Sequence, residues 1–155
     1  MGPCKTAAVR RRLLTFVVVG GGYTGVETAG QLLDFVRDAH GFYANLRDTE
    51  PRVILVHARG QLFTEIGADL GVYAAEVLER HGVSVRLNTR VAEVTATRVI
   101  LDCGNSIDAN TVVTTIGSSP NPIVLDVCRQ LGIEAVKGRV PTANTMRVPG
   151  HDDLL

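Results

Sequence analysis

The apolar residues of this chain follow two spacings, one typical of buried strands and the other of amphipathic helices. Short runs rich in β-branched residues at 16–19, 52–57 and 111–116 predict strands buried on both faces. Apolar residues at steps of three and four over 24–40 and 69–81 predict helices, and the alternation at 83–87 predicts a further strand. The resulting βαβαβ order predicts a parallel sheet, because such crossovers are right-handed.

The spacing changes over 90–109, where short apolar stretches leave no room for helices. Gly104 and Asn105 mark one tight turn in this region. We interpret 90–109 as an antiparallel meander that replaces a crossover helix, with 111–116 returning to the parallel sheet. The predicted fold class is α/β, a Rossmann-like three-layer domain with a parallel sheet, helices and an antiparallel β-meander. A helix is predicted at 123–131, and irregular or edge-strand structure from Gly138 onward.

The helix predicted at 69–81 has recognisable start and stop signals. Asp69 is expected to be its N-cap and Gly82 its C-cap. One face is expected to carry Leu70, Tyr73, Ala74, Val77, Leu78 and His81. This spacing predicts that the face packs on the sheet.

The segment GGGYTG links the first strand to the first long helix. Gly20, Gly22 and Gly25 occupy the glycine positions of G-x-G-x-x-G, and Tyr23 and Thr24 lie between the last two. The first glycine permits a tight turn, the second allows backbone to approach a pyrophosphate, and the third allows close packing of helix and strand. Because the strand precedes and the helix follows, the motif favours dinucleotide binding over an ordinary glycine-rich turn.

Composition narrows the classes of function. The 155 residues have a formal net charge of zero and are 45% hydrophobic, which fits one compact domain and gives no sign of a nucleic-acid partner. Neither a membrane-spanning run nor a signal peptide is recognisable. Cys4, Cys103 and Cys128 lie far apart and lack metal-ligand spacing, which predicts inert thiols, no metal site and a cytoplasmic location.

The segment 1–12 is expected to be a flexible or partly helical lead-in. Arg10, Arg11 and Arg12 form a small basic cluster there. We interpret this cluster as a solvated approach to the first strand, and binding of an anionic partner is the alternative.

Several stretches together resemble a known family. VVVGGGYTGVE, VILVHARGQLF, the meander, TVVTTIGSSPN and GRVPTANTMRVPG are similar to the NAD(P)H-binding part of the pyridine nucleotide–disulfide oxidoreductase superfamily. Within it, LLTFVVVGGGYTGVETAGQLLDFV resembles type II NADH dehydrogenases, the single-chain NADH:quinone reductases. The resemblance covers almost the whole chain from Leu13.

The resemblance implies a domain organisation and a set of partners. Residues 13–117 would form the NAD(P)H-binding domain, and 118–155 would return to an FAD-binding domain that this sequence lacks. The family pattern implies NAD(P)H bound here, FAD only in a longer parent chain, and a quinone acceptor. The parent would be peripheral on the inner face of a membrane, and this chain alone is expected to be inactive as an enzyme.

The resemblance also assigns roles to individual residues. Gly20, Gly22 and Gly25 match the glycines beneath the pyrophosphate, and Gly117 matches a glycine passing close to the nicotinamide. Tyr23 is similar to a tyrosine over the nicotinamide pocket, although type II dehydrogenases usually have proline there, and a turn-capping aromatic is equally consistent. Glu27 matches a helix glutamate beside the nicotinamide ribose or carboxamide. Its charge near the helix start would also complement the helix dipole.

One position departs from the family pattern. NAD-dependent members normally end the second strand with an acid that binds the adenosine ribose, but this sequence has His57, followed two residues later by Arg59. Without a carboxylate a 2′-phosphate would not be repelled, and Arg59 is suitable to bind it. The choice between NADH and NADPH therefore stays open at the level of sequence.

Other functions remain as alternatives. The same fold can bind FAD directly or serve a methyltransferase, but both usually require an acid where His57 stands. A non-catalytic nucleotide sensor or interaction module is the alternative from a different class. No catalytic residue is predicted, since His40, His57, His81 and His151 are scattered and none pairs with a recognisable nucleophile.

Overall fold

A computed structural model describes residues 6–44, 48–117, 119–151 and 153–154 of the chain. Cys4, to which the sequence assigned an inert thiol, lies outside the described residues. The chain divides into two compact units, Met1–Ile116 and Gly117–Leu155.

The first unit contains ten of the secondary-structure elements. In chain order they are α1 (Ala7–Leu13), β1 (Thr15–Val19), α2 (Tyr23–His40), β2 (Arg52–Val56), α3 (Ala68–His81), β3 (Ser84–Arg86), β4 (Val91–Val94), β5 (Arg98–Leu101), β6 (Ser106–Asp108) and β7 (Thr111–Thr114). The second unit contains α4 (Pro122–Leu131).

Two sheets form the first unit, and both follow the predicted arrangement. The parallel sheet has the order β3-β2-β1-β7, with Val19 beside Val56 on one side and beside Thr114 on the other. The antiparallel sheet has the order β4-β5-β6 and occupies the place of a crossover helix between β3 and β7. The α/β fold class and the meander at 90–109 are therefore confirmed.

The parallel sheet is covered on both faces, as its apolar strands require. Because strand residues point alternately to opposite faces, Val18 and Leu55 join the core beneath α2 and α3. Val17 and Ile54 point the other way and pack with Val99 of the meander. The first unit thus has a helix layer, a parallel sheet and a meander layer, with one hydrophobic core on each side of the sheet.

The expectations for α3 were partly wrong. Its N-cap is Gly67, with φ 135°, and Asp69 lies within the first turn. The packed face carries Gly71, Ala74, Ala75 and Leu78, whereas Leu70, Tyr73 and Val77 are exposed. A Cβ atom on Gly71 would collide with the Leu62 carbonyl oxygen, so the helix lies too close to this loop for larger side chains. The predicted C-cap is confirmed, because Gly82 ends the helix in the left-handed conformation with φ 105°.

The second unit is built around α4. The side chain of Asn121 caps its start by accepting a hydrogen bond from the Ile123 N–H at 3.0 Å, and Gly132 ends it with φ 68°. Beyond α4 the backbone forms isolated antiparallel bridges, Val136 with Arg139 and Val148 with His151. Helix 123–131 and the irregular structure after Gly138 were both predicted.

Candidate functional site

The glycine turn lies at the carboxyl edge of the parallel sheet. Gly20 follows β1, His57 follows β2 and Thr115 follows β7, and the strand register brings these three ends side by side. Strand β2, the next strand in the chain, pairs with one side of β1, whereas β7 pairs with the other side. Such a switch in strand order opens a crevice beyond the carboxyl ends, which is where ligands bind in sheets of this type.

Two glycines of the turn are required by close packing. Gly20 has φ 118°, and a Cβ atom there would lie 2.5 Å from the hydroxyl oxygen of Thr115. A Cβ atom on Gly25 would overlap the Gly20 carbonyl oxygen. Helix α2 can therefore approach the end of β1 only with glycine at both positions.

Gly22 differs from its neighbours because open space surrounds it. A Cβ atom at this position would meet no atom of the described residues within 4 Å. Gly22 is the N-cap of α2, and no side chain of the described residues caps this helix start. The first N–H groups of a helix have no partners within the helix. The start of α2 therefore lacks a side-chain cap beside an exposed Gly22, and a phosphate group is the ligand that such a helix end favours.

The loop after β2 holds the middle of the glycine turn. The Gly21 N–H donates to Nδ1 of His57 at 3.0 Å, and the Gly21 carbonyl accepts from the Phe63 N–H at 3.0 Å. The ring centroids of Phe63 and Tyr23 lie 5.0 Å apart. Both backbone groups of Gly21 thus have hydrogen-bond partners within the protein.

The surroundings of His57 favour its neutral form by lowering its pKa. Burial is the largest cause lowering its pKa from the ordinary 6.5, the positive charge of Arg59 lowers it further, and the Gln61 backbone opposes both. Because Nδ1 accepts the Gly21 hydrogen bond, the proton of the neutral ring must be on Nε2. Nε2 is buried and has no hydrogen-bond partner among the described residues.

The remaining predicted site residues lie on the surface or outside the first unit. Thr24, Glu27 and Arg59 are exposed, and Tyr23 is 53% exposed. Helix α2 begins at Tyr23, and its first turn contains no acidic residue. Glu27 therefore lies beyond the first turn, where the effect of the helix dipole fades. The expectation that its charge complements the dipole was wrong. Gly117 has φ 99° and begins the second unit.

Gly21 and two residues that contact the turn, Thr115 and Phe63, were not identified from the sequence. Gly21 was treated as a variable position, yet a Cβ atom there would lie 2.6 Å from the His57 ring and 2.6 Å from Leu62. Thr115 donates through its hydroxyl to the Val19 and Gly20 carbonyls, and Phe63 reaches Gly21 from a loop. Only Gly21, the middle of three consecutive glycines, was visible in the sequence, because the contacts of Thr115 and Phe63 join distant parts of the chain.

The fold and this turn define a Rossmann-like domain suited to a dinucleotide. A family model described as pyridine nucleotide-disulphide oxidoreductase matches residues 4–154. The chain belongs to this family, as the sequence motifs predicted.

Curated relatives point to one branch of the family. An internal alternative NAD(P)H-ubiquinone oxidoreductase A1 of Solanum tuberosum mitochondria is 36% identical over 94% of this chain and 28% of its own length. A type II NADH:quinone oxidoreductase of Mycobacterium tuberculosis is 31% identical over 94% of this chain and 33% of its own length. The chain thus spans a third or less of the length of these relatives.

Solved structures share the fold at lower identity. LpdA from Mycobacterium tuberculosis aligns with a TM-score of 0.68 at 22% identity, over 89% of this chain and 28% of that one. A ferredoxin reductase from Rhodopseudomonas palustris aligns with a TM-score of 0.63 at 19% identity, over 79% of this chain and 28% of that one. Both matches support the Rossmann-like fold.

None of the helices formed by the described residues combines the length and the hydrophobicity that a membrane span requires. Nor do His, Cys, Asp and Glu side chains in this part of the chain form a group of three or more able to hold a metal ion.

Proposed function

We propose that this chain is the NAD(P)H-binding part of an FAD-dependent NAD(P)H oxidoreductase, with a quinone as the final electron acceptor. The observation that carries the proposal is the open space at Gly22 beside the uncapped start of α2. The names of the relatives, NAD(P)H-ubiquinone and NADH:quinone oxidoreductases, support the choice of reaction.

The residues of the turn supply binding and orientation. Backbone N–H groups of α2 from Tyr23 onward bind the pyrophosphate, and the positive end of the helix dipole adds to the attraction. Gly20 and Gly25 keep α2 close to β1, which places these donors at the end of the sheet. Tyr23 and Glu27 would then lie toward the nicotinamide half, while His57 and Arg59 lie toward the adenosine half.

The chemistry requires no acid–base pair on this chain. A bound nicotinamide supplies a hydride and a flavin accepts it, so the protein contributes chiefly position. We assign residues 13–117 to NAD(P)H binding, with Gly117 at its end, and residues 118–155 to the return toward an FAD-binding domain of the parent chain. Full NAD(P)H dehydrogenase activity would belong to that parent.

Substitution of Gly22 by Val tests the proposal. The added side chain meets no protein atom near its Cβ, so the fold should survive, but it would occupy the pyrophosphate position. We expect titration calorimetry to show no NADH or NADPH binding by Gly22→Val. The matched control is Gly30→Ala on the same helix, where the added Cβ makes an ordinary 3.7 Å contact with Leu78. Unchanged affinity in a folded Gly22→Val variant would remove the turn from the site.

A further inference from the structure

A second polar cavity lies away from the glycine turn, beside the amino ends of β1 and β2. It has a volume of about 320 Å³. Thr15 and Arg52, the paired first residues of β1 and β2, line it together with residues of α1, β3 and β6. Because Thr15 is at the start of β1 and Gly20 follows its end, roughly 13 Å or more of strand separates this cavity from the glycine turn.

The sheet geometry explains why distant arginines meet there. Arg52 is two residues before Ile54 in β2, and Arg86 is two residues after Ser84, the β3 partner of Ile54. Because strand residues two positions apart share a face, both arginines belong to the same face of the parallel sheet as Ile54. That face carries the meander, whose last strand contributes Ser106 and Asp108 to the lining. Helix α1 crosses nearby and adds Arg11 and Arg12.

The charge in the cavity is strongly unbalanced. Four arginines line it against one carboxylate, Asp108, whose Oδ1 already lies 3.7 Å from Nε of Arg98. Within the described chain, the ion pairs formed at 4.0 Å or less involve none of the four lining arginines. Asp48 and Glu50 line an adjoining cavity of about 770 Å³ that shares Arg11 and Arg52.

Partial burial of two of the arginines makes this imbalance costly. Arg12 and Arg86 are half-buried, whereas Arg11 and Arg52 are exposed, and Nε of Arg12 is buried without a hydrogen-bond partner among the described residues. A buried guanidinium is stable when it is paired and hydrogen-bonded, and neighbouring positive charges repel one another. A multivalent anion would satisfy the donors and remove the repulsion.

We propose that this arginine cavity, lined by Arg11, Arg12, Arg52 and Arg86, binds a phosphate-type oxyanion with at least two negative charges. Guanidinium groups match phosphate oxygens in pairs, and the Ser106 hydroxyl can donate one further hydrogen bond. The Thr15 hydroxyl already donates its hydrogen to the Arg11 carbonyl at 2.7 Å. Thr15 therefore lines the cavity without donating a hydrogen bond to the anion. The anion is either a small phosphorylated molecule or the headgroup of an anionic lipid.

Calorimetric titration with tripolyphosphate tests the site in the whole chain. We expect saturable binding that weakens as ionic strength rises and that falls roughly tenfold or more in Arg12→Gln/Arg52→Gln, which removes two charged hydrogen-bonding groups. Arg12→Lys/Arg52→Lys keeps the charge and should retain intermediate affinity. Arg80→Gln is the matched control, since this exposed arginine is on α3 outside the cavity.

A second comparison separates this cavity from the nucleotide site. Tripolyphosphate should bind Gly22→Val as tightly as the unaltered chain and should not displace NADH. Loss of binding in Gly22→Val, or equal affinity in the double Gln variant and the unaltered chain, would overturn the proposal. Circular dichroism establishes that each variant is folded.

Vesicles distinguish the two sources of the anion. Cosedimentation with phosphatidylglycerol vesicles but not with phosphatidylcholine vesicles, lost in the double Gln variant, would identify a lipid headgroup. Tripolyphosphate binding without vesicle binding would identify a small phosphorylated molecule. Absence of both kinds of binding would refute the site.

Discussion

At the scale of single residues, His57 connects the second strand to the glycine turn. Its Nδ1 accepts a hydrogen bond from the Gly21 N–H at 3.0 Å, so the histidine side chain helps to fix the backbone of the turn. A carboxylate could accept the same hydrogen bond, but it would add a negative charge beside the phosphate site that we propose. The neutral imidazole supports the turn without that repulsion.

Protonation of His57 should therefore weaken both the fold and nucleotide binding. The doubly protonated ring has two N–H donors and no acceptor, so it faces the Gly21 N–H without a hydrogen bond. The pKa is lowered in the folded chain, so the unfolded chain binds the proton first as the pH falls. This stabilisation is complete above pH 6.5 and decreases as the pH falls toward the lowered folded pKa.

Chemical denaturation and NADH titration across pH 5 to 8 measure the effect. We expect His57→Gln, whose amide oxygen can accept from Gly21 without titrating, to show a flatter pH dependence in both measurements. His81→Gln is the control, because this exposed histidine pairs with Asp34 on another part of the surface. An identical pH profile in the unaltered chain and in His57→Gln would exclude the proposed role.

We predict that Arg59 sets the preference between NADPH and NADH. The residue is exposed and follows β2 by three positions, where a 2′-phosphate on the adenosine ribose would lie. A charged hydrogen bond contributes about 1.5–3 kcal/mol, so Arg59→Ala should weaken NADPH binding roughly tenfold or more and leave NADH binding unchanged. His57→Glu should shift the preference toward NADH by repelling the phosphate.

Dissociation constants for both cofactors in the unaltered chain and the two variants decide this question. Gly30→Ala again serves as the control, because its position on α2 is away from the adenosine side of the turn. A clear preference of the unaltered chain for NADH, with no effect of Arg59→Ala, would contradict the assignment.

At the scale of secondary-structure elements, the end of α3 shows how a helix is fixed to its neighbour. Gly82 adopts φ 105°, and a Cβ atom there would collide with the guanidinium group of Arg37 from α2. The same guanidinium donates to the His81 carbonyl at 2.8 Å. The glycine thus permits both the left-handed turn and the hydrogen bond between the helices.

Gly82→Ala should destabilise the first unit by about 1 kcal/mol or more, since an L side chain is strained at this φ and displaces Arg37. Arg37→Ala removes the collision, so the cost of Gly82→Ala should be smaller when measured in that background. Denaturant unfolding of the four chains of this double-mutant cycle gives the coupling energy. Additive effects would show that backbone strain alone requires glycine.

At the scale of the whole molecule, the chain has one dinucleotide fingerprint and spans 28% and 33% of two full-length relatives. The first unit contains a complete parallel sheet with both faces covered. The second unit, Gly117–Leu155, has its own helix and irregular backbone. The glycine turn that we propose as the pyrophosphate site lies in the first of these units.

Because only one fingerprint is present, the purified chain should bind NAD(P)H but carry no stoichiometric flavin. Absorbance between 350 and 500 nm measures bound flavin directly, and a quinone-reduction assay measures turnover. A stoichiometric yellow chromophore, or substantial NADH:quinone reductase activity without an added flavoprotein, would disprove this prediction. Gly22→Val should give the same absorbance spectrum as the unaltered chain, because the predicted absence of flavin does not depend on the turn.

Local patterns determined most of the fold. The β-branched runs define strands because burial on both faces requires continuous apolar residues. The glycines at 20, 22 and 25 were recognisable as a turn because they lie close together in the sequence, between a strand and a helix. The meander was predictable because its segments are too short to be helices. Gly82 and Gly132 ended helices for a local reason, the left-handed conformation that glycine adopts easily.

Tertiary structure decided the features that depend on residues far apart in the chain. The packed face of α3 was misjudged, because the large apolar Leu70, Tyr73 and Val77 are exposed while Gly71 packs against the Leu62 carbonyl. The hydrogen bond from Gly21 to His57 spans 36 positions, and the arginine cavity joins α1, β2 and β3. Sequence spacing describes neighbours along one element, whereas these contacts depend on how closely separate elements approach.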